Sequence, residues 1–320
     1  MRFVLFLVTA SFSCFCVGQE AYPSRPIRMI VAYPPGGAVD VMARSVAQKL
    51  QESMGQPVPV DNRPGGSGVI GAQAVAKSPA DGYTVLVIDR GALTINPHLL
   101  KVPPYDPVQD FAYTGVATDL HYVLAVSSSL PAKTFQEFVQ MAKAKPGAMN
   151  YGSFGIGTIT QLNFEQLSSH LGIRLTHVPY KGAAQTSLGV LGGDVAIMMS
   201  SIAGVSSFLK DGRMRALAVS GPKRSPQLPD VPTVAELGGG SDTVVPTYFT
   251  YALPAGTPRA IITKLHGELS RAQAAPEVAQ RLASAGLEPT TATPEEFTEG
   301  VKRDSERFAK LVKSLAIPLQ

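Results

Sequence analysis

The chain has 320 residues, of which 45% are hydrophobic and 16% are charged, and its formal net charge at pH 7 is +4. This composition is that of an ordinary globular protein. The mild charge, without any run of Lys and Arg, favours weak attraction for anionic solutes over nucleic-acid binding. A chain longer than about 250 residues usually divides its core, so two lobes are predicted.

The N-terminal segment, residues 1–21, is predicted to be a Sec-type signal peptide, because its apolar run is too short to span a bilayer. Cys14 and Cys16 both lie inside it, so the mature chain is predicted to have no disulfide and no thiolate for catalysis or metal binding. A lipoprotein signal fits poorly because of Phe12 and Phe15. We therefore expect a soluble, exported, periplasmic protein from which the signal peptide has been removed.

One arrangement occurs twice along the chain: a predicted strand, a glycine-rich loop and a helical pattern. The first copy has a strand at 27–32 and a loop at 33–37, and the second has a strand at 148–151 and a loop at 152–158. In an α/β fold such loops present backbone N–H groups, at the positive end of a helix, to the crevice beyond the strand. Each loop is therefore a candidate anion-binding site, and the pair predicts a small anion held between two lobes.

The rest of the chain alternates strands and helices, as a doubly wound α/β fold does. Further strands are predicted at 58–60, 84–88, 122–126, 174–178, 195–199, 215–219 and 248–253. Helices are predicted from 39 to about 50, at 69–76, 134–144, 158–170 and 183–191, and at the end of the chain at 259–274, 276–285 and 294–315.

Motifs for catalysis are weak or missing. Residues 66–71 match the dinucleotide pattern Gly-x-Gly-x-x-Gly, but Pro64 and a long loop separate them from their strand, so a helix start with close backbone packing is favoured. The sequence has no phosphate-binding P-loop, nucleophile elbow or His-Glu-x-x-His motif. Its five histidines are scattered singly, and each is expected to be a turn, helix-end or surface residue. We predict no enzyme activity, cofactor or metal.

Several blocks of sequence carry a resemblance to a known family. They include YPPGGAVDVMAR (33–44), NRPGGSGVIGAQAVAKSPADGYTVL (62–86), INPHL with YDPVQDF (95–111), YGSFGIGT (151–158), VPYKGAA (178–184), LGGDV (191–195), GRMRALAVSGPKRSPQLPDVPTVAELG (212–238), PAGTP (254–258) and PEEF (294–297). From residue 22 onward the chain resembles the Bug-type, or TctC-like, solute-binding proteins of tripartite tricarboxylate transporters.

The resemblance implies a two-lobed periplasmic binding protein of the type II-like α/β fold, each lobe a sheet flanked by helices. Lobe 1 would comprise residues 22–122 plus 249–320, and lobe 2 residues 123–248, with hinge crossings near Tyr122 and Tyr248. Such a protein, expected to be a monomer, captures a small organic carboxylate and delivers it to the membrane subunits of the transporter. No nucleic-acid partner is implied.

In such proteins backbone N–H groups, hydroxyls and ordered water hold the carboxylate. The positions that the resemblance and the loop chemistry predict for ligand binding are Tyr33, Pro35, Gly36, Gly37, Asp40, Arg90, Gly91, Ser153, Phe154, Gly155, Thr158, Tyr180, Gly182, Ser200, Ser201 and Tyr248. Asp40 has two open roles, a cap in the first helical turn or a direct ligand contact.

Departures from the family pattern bear on the ligand. Arg90 either binds a second carboxylate through parallel N–H bonds or pairs with Asp89 to stiffen the loop. Ser200 stands where relatives that bind amino acids often carry an acidic residue. A di- or aromatic carboxylate is therefore favoured over an amino acid. The alternatives left open are an amino-acid-binding family member, a ligand sensor feeding a two-component system, and a periplasmic enzyme on the same scaffold.

Overall fold

The computed structural model of the protein describes residues 22–240, 243–315, 317 and 319. The predicted signal peptide lies outside these residues. Within them, two β-sheets flanked by helices build the molecule, which confirms the predicted two-lobed α/β fold. No helix in the described part of the chain is both long and apolar enough to cross a membrane.

The strands, in chain order, are β1 (Arg28–Val31), β2 (Val60–Asn62), β3 (Thr84–Asp89), β4 (Phe111–Leu120), β5 (Tyr122–Ser127), β6 (Asn150–Ser153), β7 (Thr176–Pro179), β8 (Ile197–Ser201), β9 (Met214–Val219), β10 (Thr247–Pro254) and β11 (Leu287–Thr291). The helices are α1 (Ala38–Met54), α2 (Val69–Ala76), α3 (Arg90–Thr94), α4 (Phe135–Ala144), α5 (Ile159–Leu171), α6 (Ala183–Gly192), α7 (Ile202–Lys210), α8 (Arg259–Ala274), α9 (Pro276–Ser284) and α10 (Pro294–Ser314).

The two sheets define the two lobes. The sheet of lobe 1 has the spatial order β11-β4-β10-β3-β1-β2, and the sheet of lobe 2 has the order β7-β6-β8-β5-β9. In lobe 1, β2, β1 and β3 are parallel, while β10 is antiparallel to both β3 and β4. In lobe 2, β7, β6 and β8 are parallel and β5 is antiparallel to its neighbours. The boundaries of the lobes, as predicted from the resemblance, stay a prediction.

The chain passes between the sheets at His121, which separates β4 from β5, and again just before β10. The register pairs Tyr248 with Asp119 in one sheet and Tyr122 with Ser201 in the other. Both crossings therefore lie at the end of each sheet where its parallel strands finish. The carboxyl ends of β1 and β3 consequently face those of β6, β7 and β8 across a crevice, which is where α/β folds commonly bind ligands.

Helix α10 contacts both lobes. Near its start, the Phe297 ring packs against the Tyr248 ring on β10, a strand of the lobe 1 sheet, with centroids 5.3 Å apart. Near its end, Phe308 and Val312 are buried in the main hydrophobic cluster of lobe 2. In the same half of the helix, Arg307 Nη2 donates a hydrogen bond of 3.1 Å to a side-chain oxygen of Gln166 on α5. The helix thus adds a third link between the lobes.

The predicted elements are confirmed, with ends that shift by a few residues. Strand β6 begins at Asn150 and ends at Ser153, whereas the apolar pattern placed it two residues earlier. Strands β4 and β11 and helices α3 and α7 are additional to the prediction. In β4, Gly115 has a φ of +78°, and the pattern around it does not alternate clearly. In β11, Pro289 lacks an N–H, which is tolerated because β11 is an edge strand.

The glycine pattern at 66–71 is explained by packing. Gly66 and Gly68 lie in a 3₁₀ turn, and α2 starts immediately afterwards. A Cβ added to Gly71 would lie 2.9 Å from the Cα of Ala32 on the chain leaving β1, so the helix approaches the strand too closely for a side chain. This confirms a helix start with close backbone packing.

Candidate functional site

The first glycine loop joins β1 to α1 and is held by Asp40. The Asp40 carboxylate, only 4% exposed, accepts hydrogen bonds from the Gly36 amide at 3.0 Å, Arg44 Nε at 2.9 Å and Asn62 Nδ2 at 2.9 Å. Burial alone would raise the pKa of Asp40, but the hydrogen bonds from Arg44, Gly36 and Asn62 outweigh it and lower that pKa. An ionised Asp40, in the first turn of α1, therefore shapes the loop through the Gly36 amide, which supports a role within the helix start over a direct ligand contact.

Helix α1 begins at the end of this loop without a side-chain cap. Its N-cap residue, Gly37, has extended backbone angles, and a Cβ there would have no atom within 4 Å. Pro35, Gly36 and Gly37 are all exposed. The start of α1 therefore has no side-chain cap over its first turn, in which the Asp40 amide donates to the Gly37 carbonyl at 3.0 Å.

The second glycine loop joins β6 to α5, and its hydroxyls bond to the loop itself. The buried Ser153 hydroxyl lies 3.0 Å from the carbonyl oxygen of Gly155 and accepts a 3.1 Å hydrogen bond from the Gly155 amide. The Thr158 hydroxyl donates to the same carbonyl at 2.7 Å. The Gly157 amide donates to Gln161 Oε1 at 2.7 Å. These contacts fix the loop, and α5 then starts without a side-chain cap.

His177 supports this loop from the neighbouring strand β7. Its Nε2 lies 2.6 Å from Ser153 Oγ, and its ring stacks on Tyr151 with centroids 5.0 Å apart. Burial lowers the pKa of His177, which favours the neutral imidazole. The prediction that each histidine is a turn, helix-end or surface residue is wrong for His177. It is also wrong for His121, which is buried in the first crossing.

Helix α6 contributes a third exposed start. Its N-cap, Gly182, has a φ of +119° and no side-chain cap, and Lys181 N donates to Gln185 Oε1 at 3.2 Å. The preceding residue, Tyr180, has its backbone beside the second loop, since its amide donates to the Ser153 carbonyl at 3.0 Å. Its ring packs back against lobe 2.

At the end of β8, the two predicted serines have different surroundings. The Ser201 hydroxyl caps α7 by accepting a hydrogen bond from the Gly204 amide at 3.1 Å. Ser200 is fully buried, and its hydroxyl has no hydrogen-bond partner among the residues that the structure describes. Ser200 therefore keeps an unused donor beside the crossing into β5, with which it is in register.

Arg90 is engaged by protein groups. Its Nε lies 2.9 Å from Asp304 Oδ2 on α10, and its Nη1 donates to the Pro246 carbonyl at 2.6 Å. Its guanidinium also lies over the Tyr248 ring, 4.7 Å from the centroid. With both side chains of the ion pair less than one-fifth exposed, this arrangement favours a structural role that ties α3 to α10 and the second crossing. A ligand contact by Arg90 stays a prediction.

The proposed stiffening pair of Asp89 and Arg90 is not what the structure contains. Asp89 caps α3 by accepting a 2.7 Å hydrogen bond from the Ala92 amide, and it also bonds to the Tyr33 hydroxyl. Burial raises the pKa of Asp89, although these hydrogen bonds and one from the Gly91 amide partly offset it. Tyr33, Asp89 and Gly91 thus form one packed group at the lobe 1 edge.

The structure therefore gathers the predicted residues at the two facing edges, in loops of lobe 1 and lobe 2. Phe154 and Tyr180 pack partly into lobe 2, and Tyr248 is buried at the second crossing. The residues that sequence reasoning missed are those that support the loops, chiefly Asn62 and His177. Parallel strand pairing brings them next to the loops, and the sequence shows no sign of which strands are neighbours. Whether the predicted residues contact a ligand stays a prediction.

Comparison with known proteins identifies the family. The model described as the tripartite tricarboxylate transporter family receptor, TctC, matches residues 42–317. The chain belongs to the TctC family. It is 35% identical over 317 residues to protein BugT of Bordetella pertussis, covering 99% of this chain and 97% of BugT. Members of this family are periplasmic solute-binding receptors.

Solved structures of TctC-like proteins share the fold. A Rhodopseudomonas palustris protein solved with adipate is 32% identical, with a TM-score of 0.78, covering 93% of this chain and 99% of that chain. MatC of the same organism, solved with bound malate, is 26% identical, with a TM-score of 0.74, covering 91% of this chain and 100% of that chain. Both ligands are small carboxylates.

Proposed function

We propose that this TctC-family protein is a periplasmic receptor that captures a small carboxylate between its lobes and delivers it to the membrane subunits of a tripartite tricarboxylate transporter. The observation that carries this proposal is the meeting of three helix starts without side-chain caps, those of α1, α5 and α6, at the facing edges of the two sheets. Unpaired N–H groups at a helix start attract anions.

Other helices that begin at these edges do not offer the same site. Asp89 caps α3 and Ser201 caps α7 through their side chains. Helix α2 lacks a side-chain cap, but a Cβ at its N-cap Gly68 would lie 2.9 Å from the Tyr33 hydroxyl, so that start is covered. The available anion-binding starts are therefore on both sides of the crevice, α1 on lobe 1 and α5 with α6 on lobe 2.

This distribution supports a dicarboxylate. A ligand with an anionic group at each end would reach a helix start on both lobes, and the related structures with adipate and malate contain dicarboxylates. Because Arg90 is paired with Asp304, we expect the second carboxylate to be bound by backbone N–H groups. Asp40 and Asp89 both accept hydrogen bonds from protein donors, which argues against their binding the ammonium group of an amino acid. An aromatic carboxylate is the alternative class.

The test is a thermal-shift screen of the protein without its signal peptide, followed by calorimetry on every hit. The panel contains malate, adipate, citrate, benzoate, phthalate, glutamate and a neutral control such as glycerol. A ligand at one hundred times its dissociation constant stabilises the folded state by about 2.7 kcal/mol, which raises the unfolding midpoint by several degrees. A dicarboxylate hit with a dissociation constant in the micromolar range or below is expected.

Two results would overturn the proposal. If, after unfolding and refolding to remove any co-purified ligand, no carboxylate raises the midpoint, the protein is not a carboxylate receptor. If glutamate binds more tightly than malate and adipate, the amino-acid alternative is correct. The delivery step is tested separately by uptake of the labelled ligand in cells that lack this protein. Normal uptake there, with loss of a ligand-induced transcriptional response, would identify a sensor instead.

A further inference from the structure

The Tyr180 ring occupies a slot in lobe 2 beside Gly189 on α6. A Cβ added to Gly189 on α6 would lie 2.3 Å from the Tyr180 hydroxyl oxygen and 2.6 Å from Cζ. A Cβ added to Gly152 on β6 would lie 3.4 Å from Cε2 of the same ring, an ordinary contact distance, whereas Thr186 Cγ2, at 2.5 Å, is what excludes a side chain there. The ring therefore packs where a side chain at Gly189 would otherwise be, against the cluster that includes Val190 and Val195.

The backbone around Gly189 does not require glycine. Gly189 lies inside α6 and is absent from the set of residues with positive φ. In a helix interior, glycine is about 1 kcal/mol less favourable than alanine. The contact that would exclude alanine is the one with the Tyr180 ring. The space for this ring is thus the physical reason that the structure offers for a glycine at this position.

Tyr180 itself sits at the crevice. It directly follows the carboxyl end of β7, and its carbonyl oxygen is 3.6 Å from the Cβ position of Gly155 in the second glycine loop. Its backbone is held there by the hydrogen bond from its amide to the Ser153 carbonyl. Because side chains occupy a few staggered rotamers, a ring excluded from the slot must shift or change rotamer.

We propose that Gly189 provides the slot that holds the Tyr180 ring out of the crevice and thereby sets how long a carboxylate the crevice accepts. This inference rests on the proposed function, since it concerns the size of the same ligand. With the ring in its slot, the crevice accepts longer dicarboxylates. With the slot filled, the phenol ring occupies space that the far end of a long ligand needs, and shorter ligands are affected less.

The test uses Gly189→Ala, with Gly192→Ala as the matched control on the same helix. A Cβ at Gly192 would meet only an Asp194 carboxylate oxygen, at 3.9 Å, so this change leaves the ring in place. By calorimetry, Gly189→Ala should weaken adipate binding at least tenfold, or about 1.4 kcal/mol, and weaken malate binding by less. Gly192→Ala should bind both ligands as the wild type does.

A second variant background, Tyr180→Ala, separates the effect of the ring from other effects of Gly189→Ala. In Tyr180→Ala the slot is empty, so adding Gly189→Ala should leave adipate affinity unchanged. An effect of Gly189→Ala that persists without the ring would overturn the proposal, as would equal weakening of adipate and malate binding.

The ring position is also measured without a ligand. Nitration by tetranitromethane, mapped by mass spectrometry, should be several-fold faster at Tyr180 in Gly189→Ala than in the wild type or Gly192→Ala. Unchanged nitration would show that the ring stays in the slot, and the proposal would be wrong. If the wild type binds no carboxylate in the screen, the proposed function fails, and with it the ligand-size part of this inference, while nitration still decides the slot.

Discussion

Replacing Gly37 with aspartate should weaken carboxylate binding by about fivefold or more without destabilising the protein. Gly37 is the N-cap of α1, its backbone angles of −78° and 170° suit any residue, and its Cβ position is open. Aspartate is a favoured N-cap residue because its carboxylate accepts hydrogen bonds from the first-turn N–H groups. In Gly37→Asp the protein's own carboxylate would therefore occupy the groups that we propose for the ligand.

The size of the effect follows from charge repulsion. Two carboxylates about 4 Å apart repel by about 1 kcal/mol in water and about 4 kcal/mol at the effective dielectric constant of a protein surface. This range corresponds to a loss of affinity between about fivefold and about a thousandfold. The gain from capping should be a few tenths of a kcal/mol, partly offset by repulsion from Asp40 in the first turn of the same helix.

The assay is calorimetry with the best ligand from the screen, alongside thermal unfolding. Gly37→Ala adds a Cβ but no acceptor, so it should bind nearly as the wild type does, and Gly37→Asn, which caps without a charge, should fall between. Added salt should reduce the difference between the aspartate and asparagine variants. If Gly37→Asp binds within threefold of the wild type and melts at the same temperature, the start of α1 does not hold the carboxylate.

Three further changes test the packing around the site. Arg90→Ala should lower the free energy of unfolding by about 2 kcal/mol, because it leaves the Asp304 carboxylate unpaired. A tenfold loss of affinity for the carboxylate at unchanged stability would instead place Arg90 in the ligand site. Gly71→Ala should lower the free energy of unfolding, measured in urea, by about 1–3 kcal/mol, because the added Cβ overpacks the contact with the chain leaving β1. Gly267→Ala is the control: its Cβ would have a flexible arginine end as its nearest contact, at 3.6 Å, so this change should be neutral or stabilising. His177 has a lowered pKa, so its contribution to stability is present above pH 6.5 and is lost as the pH falls through the lowered native value. In His177→Gln, the free energy of unfolding, measured in urea, should therefore fall less between pH 7 and pH 5 than in the wild type. An unchanged pH dependence would contradict this assignment.

Local sequence signals were enough for most of the fold. The apolar spacing of residues 39–50 matches the buried face of α1, and the helices predicted at 134–144 and 294–315 begin within one residue of the observed starts. Strand β11 was missed because an edge strand with an exposed face and a proline has almost no apolar pattern. Strand β4 was missed because its small and hydroxyl residues are buried by tertiary packing that no local window contains.

The loops of the candidate site could be predicted from the sequence, but the contacts that its side chains make could not. Glycine-rich segments after strands correctly indicated the loops that begin α1 and α5. The engagement of Arg90 by Asp304 was not predictable, because the two residues are 214 positions apart and meet only through the packing of α10. The hydroxyls of Ser153 and Thr158 were predicted as ligand contacts, yet both bond to the Gly155 carbonyl inside the loop, because of a local turn geometry that residue types alone do not specify.

The packing of α10 against both lobes bears on the order in which the molecule can fold. The cluster that fills lobe 2 includes Phe308 and Val312, which come after every strand of that lobe in the chain. Until these residues arrive, the lobe 2 strands and helices leave an apolar gap facing water, which favours a loosely packed intermediate. Lobe 2 should therefore reach its final packing only when the C-terminal helix docks, so that the middle of the chain completes its folding after the end of the chain is in place.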